Sequence, residues 1–171
     1  ESEGGSSVAD ECGQIVVESE CPADCEELGP GGDVFMCALD VCSADWILSE
    51  EYGFSSPSGD DVSQSGGVTS HFGNLSNGLG PKMGSSYGYL STGIWNGVPQ
   101  SGTDLAGGSP IPDEFDASET NTFDNIEFTV DLVAPDSAAG FALDYVFLSS
   151  EYEEYIGSTF NDKFYIQLQS P

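Results

Sequence analysis

Arginine is absent from this chain, and Lys82 and Lys163 are its only basic residues beside a single histidine, His71. Nucleic-acid binding depends on neutralising phosphates with Lys and Arg, so DNA and RNA are excluded as partners. An anionic membrane surface is disfavoured on the same ground. No apolar run approaches the roughly 20 residues of a membrane span, so membrane insertion is not expected. One histidine leaves little material for imidazole catalysis. The sequence also lacks a signal-peptide pattern at its start, where Glu1 to Asp10 is acidic and rich in Ser and Gly. That stretch reads as a tether exposed after processing.

What the chain does have is acid: 30 Asp and Glu among 171 residues, for a formal charge of -28. Such a charge keeps a surface soluble and self-repelling, more so where salt is low. Clustered oxygens also suit Ca²⁺. The hydrophobic content of 38% argues against disorder along the whole length. A domain of this size can bury roughly 70% of its unfolded surface. The 22 glycines and the Ser, Asn and Asp stretches break the apolar residues into short runs, the texture of a loop-rich all-β fold.

All five cysteines, Cys12, Cys21, Cys25, Cys37 and Cys42, fall in the first quarter, spaced C-x8-C-x3-C-x11-C-x4-C. Crowding of this kind points to disulfides and an oxidising compartment. Zinc is the rival, but paired C-x2-C knuckles are missing and His71 is distant. Five is an odd number, so one thiol is left free or bonds outside this chain. The pairing itself cannot be read from spacing; Cys37 and Cys42 would lie one to two turns apart on a helix.

Three parts follow: residues 1–11 as an acidic tether, 12–42 as a Cys-rich region, and 43–171 as a β-sandwich or jelly-roll-like domain. Strands are expected at Gln14 to Glu18 and Asp45 to Ser49, and a short helix at Asp33 to Val41. Ile126, Phe128, Val130 and Leu132 alternate with polar residues, the period of a half-buried strand. Phe141 to Leu148 is apolar on both faces apart from Asp144, which predicts a central strand; Lys163 to Gln169 predicts another. The sequence stops directly after that last strand. The sandwich is therefore expected to be completed by strands outside this segment, from the same polypeptide or a neighbouring copy.

Phe147 to Phe164 reads F-L-S-S-E-Y-E-E-Y-I-G-S-T-F-N-D-K-F. It resembles the signature of the bacterial choice-of-anchor L domain, approximately F-x-S-E-E-Y-P-E-F/Y-V-x-S-x-F/Y-N-D-x-F. Glu151, Tyr152, Glu154, Tyr155, Ser158, Phe160, Asn161, Asp162 and Phe164 match it. Ser150 stands for its first Glu, and Glu153 for its Pro. Ala38 to Cys42, Phe72 to Leu75, Pro81 to Gly84 and Leu90 to Gly93 are similar to its upstream parts, in order. The resemblance spans about three quarters of the chain, from near Asp33 to the end, and implies a secreted or surface-anchored bacterial protein whose domain extends beyond Pro171.

Four sets of residues carry possible chemistry. Glu151, Glu154, Asn161 and Asp162 crowd oxygens into one connection and are the metal candidates, for Ca²⁺; the alternative is a turn capped by Asn161 and Asp162 with solvated glutamates. Asp113 to Asp116, with Glu119 and Asp124, reads as a solvated acidic loop lacking an EF-hand pattern. Gly84-Ser85-Ser86-Tyr87-Gly88 fits G-x-S-x-G, but a nucleophile elbow needs a helix after it and a later His, and His71 comes earlier. Trp46, Tyr52, Tyr87, Tyr89 and Trp95 could stack on a glycan, although aromatic residues in sheets mostly form core.

The expected protein is thus a non-enzymatic extracellular structural or assembly protein of a bacterial surface, associating with other chains through strands as a fibre subunit would. The competing expectation is a calcium-assisted adhesin module that recognises glycans or surfaces.

Overall fold

The computed structural model describes residues 7–9, 15–17, 21–22, 24–28, 32–42, 46–48, 52–70, 80–81, 85–95, 104–118, 121–134, 136, 138, 140–149, 153, 155–156, 158 and 162–169. The fold is mainly β, with short antiparallel pairs and one short helix. In chain order the elements are β1 (Ser7–Ala9), β2 (Ile15–Val17), a 3-10 turn (Cys25–Leu28), α1 (Gly32–Ala38), β3 (Gly53–Ser55), β4 (Gly66–Thr69), β5 (Tyr87–Leu90) and β6 (Glu127–Thr129). β1 pairs with β2, β3 with β6, and β4 with β5, all antiparallel. β1 falls inside the stretch expected to be a tether.

α1 lies where the apolar run predicts a helix, and it is shorter than predicted. Asp33 in its first turn complements the helix dipole. Val34, Phe35, Met36 and Cys37 are all buried, so the helix is enclosed nearly all round rather than along one stripe. It ends at Asp40, whose φ of 62° is left-handed. There the amide of Val41 donates to the Met36 carbonyl at 3.0 Å and that of Asp40 to the Cys37 carbonyl at 2.9 Å. This is a Schellman closure, with Asp in the place glycine commonly takes.

Two disulfides fasten this helix. Cys25–Cys37 joins it to the 3-10 turn, with a Cα separation of 5.7 Å. Cys21–Cys42 ties the segment before the turn to the one after the helix, at 5.1 Å. Both separations are normal for a bridge. Val34 completes the buried cluster, and Cys21, Cys42 and Val68 pack around it. The sulfurs of Cys21, Cys37 and Cys42 lie within 4.8 Å of one another, but all three are used in bridges, so they offer zinc no thiolate. Cys12 lies outside the described residues.

From the other side of the helix Phe35 reaches the sheets. Its ring meets Phe128 of β6 at 4.4 Å and Phe54 of β3 at 5.1 Å, edge to face. Phe54 and Phe128 are cross-strand partners with ring centroids 5.2 Å apart. A Cβ on Gly88 of β5 would come within 2.8 Å of the Phe35 ring. The glycine thus makes room for the aromatic residue, and α1 can pack on β4 and β5 as well.

The period-two reading of 125–133 holds at its centre, in β6, and continues as a bridge from Leu132 to Ile47. That bridge is flanked by the Leu48 amide on the Asp131 carbonyl and the Val133 amide on the Trp46 carbonyl. The expected strands Phe141 to Leu148 and Lys163 to Gln169 differ. No ladder pairs either of them among the described residues. Their side chains, apart from Leu148 and Lys163, are exposed. A segment apolar on both faces needs a layer on each face and a neighbour at each edge, and the described residues supply neither.

Phe35→Ala should cost about 3–5 kcal/mol, because it empties the contact between helix and sheets. Denaturant unfolding with the disulfides intact measures this. A loss below about 1 kcal/mol would show that Phe35 does not join these elements.

Candidate functional site

The acidic loop of Asp113 to Asp116 proves not to be merely solvated. Asx-type hydrogen bonds shape it. Asp113 Oδ1 accepts the amides of Phe115 at 2.8 Å and Asp116 at 3.1 Å. Asp116 Oδ1 accepts the Ser118 amide at 3.0 Å and the Ser118 hydroxyl at 2.5 Å. With their Oδ1 atoms so engaged, the Oδ2 atoms of both aspartates receive Lys163 Nζ, at 3.0 Å and 2.9 Å. The Tyr165 hydroxyl donates to Asp113 Oδ2 at 3.0 Å. The Tyr165 ring lies 4.5 Å from that of Phe115. One of the chain's two basic residues is therefore spent in clamping the 162–169 segment onto this loop.

The electrostatics follow from these contacts. The Ser118 hydroxyl, then Lys163, hold the Asp116 carboxyl down at about 2. Desolvation pushes Asp113 up, but the bonds from Lys163, the Phe115 amide and Tyr165 outweigh it and leave that carboxyl below its usual range. Hydrogen bonds to Asp116 and then Asp113 raise Lys163.

The 162–169 segment is in turn joined to 141–149. The rings of Tyr145 and Phe164 lie 5.0 Å apart, and Ser149 Oγ donates to Asp162 Oδ2 at 2.8 Å. Together the two segments expose Phe141, Leu143, Tyr145, Val146, Phe147, Phe164, Tyr165, Ile166 and Leu168, each between 37% and 72%. Isolated exposed apolar residues need no explanation, whereas nine of them in two adjoining segments call for one.

Of the expected metal residues, Glu151, Glu154 and Asn161 lie outside the described residues, and Asp162 accepts the Ser149 hydroxyl. Glu153 has a φ of 75°. It stands where the resembled signature has Pro, whose ring fixes φ near -65°, so this turn differs from one built around that Pro.

Ser86, the centre of the G-x-S-x-G match, is buried and leads into β5 rather than a helix. Its hydroxyl has no hydrogen-bond partner among the described residues. That is not the exposed hydroxyl of a nucleophile elbow. The five aromatic residues singled out by sequence are half-buried. Tyr89 stacks on Trp95 at 4.7 Å, and Tyr52 donates its hydroxyl to Asp33. Five exposed aromatic residues, Phe141, Tyr145, Phe147, Phe164 and Tyr165, lie instead in the segments read as core strands. Their signal in the sequence was the continuity of apolar residues on both faces.

A second acidic grouping gathers around Asp60. Its Oδ2 accepts the hydroxyls of Ser56, at 3.0 Å, and Ser58, and Asn125 Nδ2 donates to Ser58 Oγ at 3.2 Å. A Cβ at Gly108, which sits at a φ of 66°, would land on the Asp60 carboxylate. Nearby, Asp124 Oδ1 accepts the Leu105 amide at 2.9 Å. Burial, then the charges of Asp104 and Asp60, raise the Asp124 pKa. These carboxylates repel one another without converging on a single point as cation ligands do.

The chain matches no family model, no curated protein and no solved structure.

Two outcomes are expected. A carboxyl with a depressed pKa stabilises fully above its unfolded value of about 3.9, and that contribution is lost as pH falls through the folded value. A raised lysine stabilises fully below its unfolded value of about 10.4. The clamp should therefore hold from about pH 4 to 10 and open near pH 2. Lys163→Met should open it at neutral pH, and the contact between the Tyr165 and Phe115 rings, read as a nuclear Overhauser effect, should weaken severalfold; an unchanged ring contact in this variant would show that Lys163 is not what holds the segment. Separately, Asp124→Asn should keep the Leu105 bond, remove like-charge repulsion and suit the left-handed φ of 54° at that position. It should raise Tm by up to about 2 °C, a small gain because water screens the repulsion. A fall in Tm would mean that the negative charge is itself needed there.

Proposed function

We propose that this chain is a non-catalytic structural module of a bacterial cell surface, working outside the cell through protein–protein contact. The observation that carries the reading is the apolar surface of 141–149 and 162–169, held in place by a built clamp yet left open. A charged clamp that positions greasy side chains in water has a function in recognition, where such residues find cover in a partner.

Three further features support it. Two disulfides fasten the small helix, as is common where the compartment is oxidising. The acidic composition keeps the remaining surface soluble and discourages unspecific association. The likeness of Phe147 to Phe164 to a surface-protein signature points to the same location. In this reading the short sheets around α1 belong to a sandwich, and the two apolar segments are strands of it whose partners come from another chain.

A photo-crosslinking residue placed at Tyr145, in the protein expressed on the surface of its native host, tests the proposal. The expected result is a covalent adduct to another polypeptide on intact cells. Adducts confined to a single polypeptide would show that the apolar surface is internal packing, and the reading would fall.

A further inference from the structure

We infer that the two disulfides together form a thiol-exchange site whose substrate class is a dithiol. Attack on the outer Cys21–Cys42 bridge opens the buried Cys25–Cys37 bridge as well, because Cys37 relays the exchange. This site is independent of the assembly reading and stands or falls without it.

Exposure sets the point of entry. Cys25 and Cys37 are 6% and 4% exposed, whereas Cys21 and Cys42 are half-buried. Exchange requires a thiolate to reach a disulfide sulfur, so access directs it to Cys21–Cys42.

Proximity supplies the relay. The Sγ atoms of Cys21, Cys37 and Cys42 lie within 4.8 Å of one another. Their bridge accounts for the closeness of Cys21 and Cys42. Cys37 is bonded to neither, since its partner is Cys25. One sulfur of the inner bridge therefore adjoins both sulfurs of the outer one.

The chemistry balances without any further oxidant or reductant. A thiolate of the dithiol bonds to Cys21 Sγ, the bond from Cys21 to Cys42 breaks, and its electron pair leaves on Cys42. The second thiol of the reagent then closes a ring with the first and releases Cys21 as a thiol. The reagent is oxidised to a cyclic disulfide, and the protein gains two electrons and two protons. The Cys42 thiolate next attacks Cys37 Sγ. A bond from Cys37 to Cys42 forms, the bond from Cys25 to Cys37 breaks, and Cys25 leaves as a thiolate that takes a proton from water. This second step is an isomerisation with no net redox change. Initial attack on Cys42 instead frees Cys21, which is also within 4.8 Å of Cys37. Either course leaves Cys25 as a thiol and Cys37 still bridged. A sulfur released beside its target reacts ahead of one arriving from solution.

The consequence for the fold is specific. Cys25–Cys37 is the tie between α1 and the 3-10 turn. A dithiol acting on the outer bridge thus unfastens the helix that carries Phe35 without itself entering the core.

The test is an equimolar amount of dithiothreitol on the folded full chain carrying Cys12→Ser, which removes the fifth thiol. Rapid alkylation follows, then cleavage before aspartate. Cuts at Asp24, Asp33 and Asp40 put Cys21, Cys25, Cys37 and Cys42 on separate peptides, so labels and surviving bridges are read by mass. Label on Cys25 should exceed that on Cys37 severalfold, with Cys37 recovered joined to Cys42 or Cys21. Equal label on Cys25 and Cys37 would mean that the inner bridge opens directly, and would overturn the relay. So would label confined to Cys21 and Cys42. The ratio of Cys25 to Cys37 label should not change on dilution; a ratio that falls towards equality would mark exchange between chains and equally overturn it. The same asymmetry is expected in the wild-type chain, where the Cys25 and Cys37 peptides remain separate, and its absence there counts against the relay in the same way.

Discussion

The Phe35 ring is the contact on which the described core turns. It joins β3 and β6 through Phe54 and Phe128, and presses on Gly88 of β5 from the same helix. A helix of seven residues has little stability of its own, since forming its first turn is costly and few hydrogen bonds follow. Two covalent bridges and a Schellman closure compensate, so that Phe35 is presented in one orientation. Short strands of three or four residues are marginal as well, and an isolated hairpin barely persists in water. Helix and sheets therefore depend on one another. The disulfides reduce the conformational freedom of the unfolded chain that this mutual dependence would otherwise have to overcome.

Legibility in the sequence followed how local each cause is. α1 was readable because an apolar run with an acidic first turn is local information. β6 was readable because alternation at period two needs no knowledge of its partner. Cysteine crowding pointed to disulfides, but the pairing depends on where the 3-10 turn places Cys25 against Cys37, which spacing does not encode. The Lys163 clamp was also hidden: Asp113 and Lys163 are 50 residues apart, and nothing local announces that they meet. A lysine in a chain with almost none was the available signal, since a sole cation among acids will be drawn to a pair of them.

The segments 141–148 and 163–169 mark the sharper limit. Their pattern predicts strands buried on both faces, and the described residues leave most of their side chains exposed. Periodicity reports what a segment needs, namely cover, and says nothing about which chain provides it. In a self-contained domain the two amount to the same thing. Here they separate: the residues that look most like core are among the exposed ones.

Charge and greasiness are divided between regions of this chain, and the division has a physical consequence. A surface of net charge -28 opposes every encounter between copies, wherever it occurs, by a long-range force that salt weakens. The apolar segments favour contact by a short-range effect that salt of the excluded kind strengthens. The clamp adds orientation, because Lys163 and Tyr165 fix one edge of the strip to the Asp113–Asp116 loop rather than letting it collapse on itself. The two tendencies differ in range: repulsion acts between whole chains at a distance that salt shortens, and attraction acts only where apolar side chains touch. Extreme acidity and an exposed apolar strip, which look contradictory in one protein, therefore govern different distances of approach.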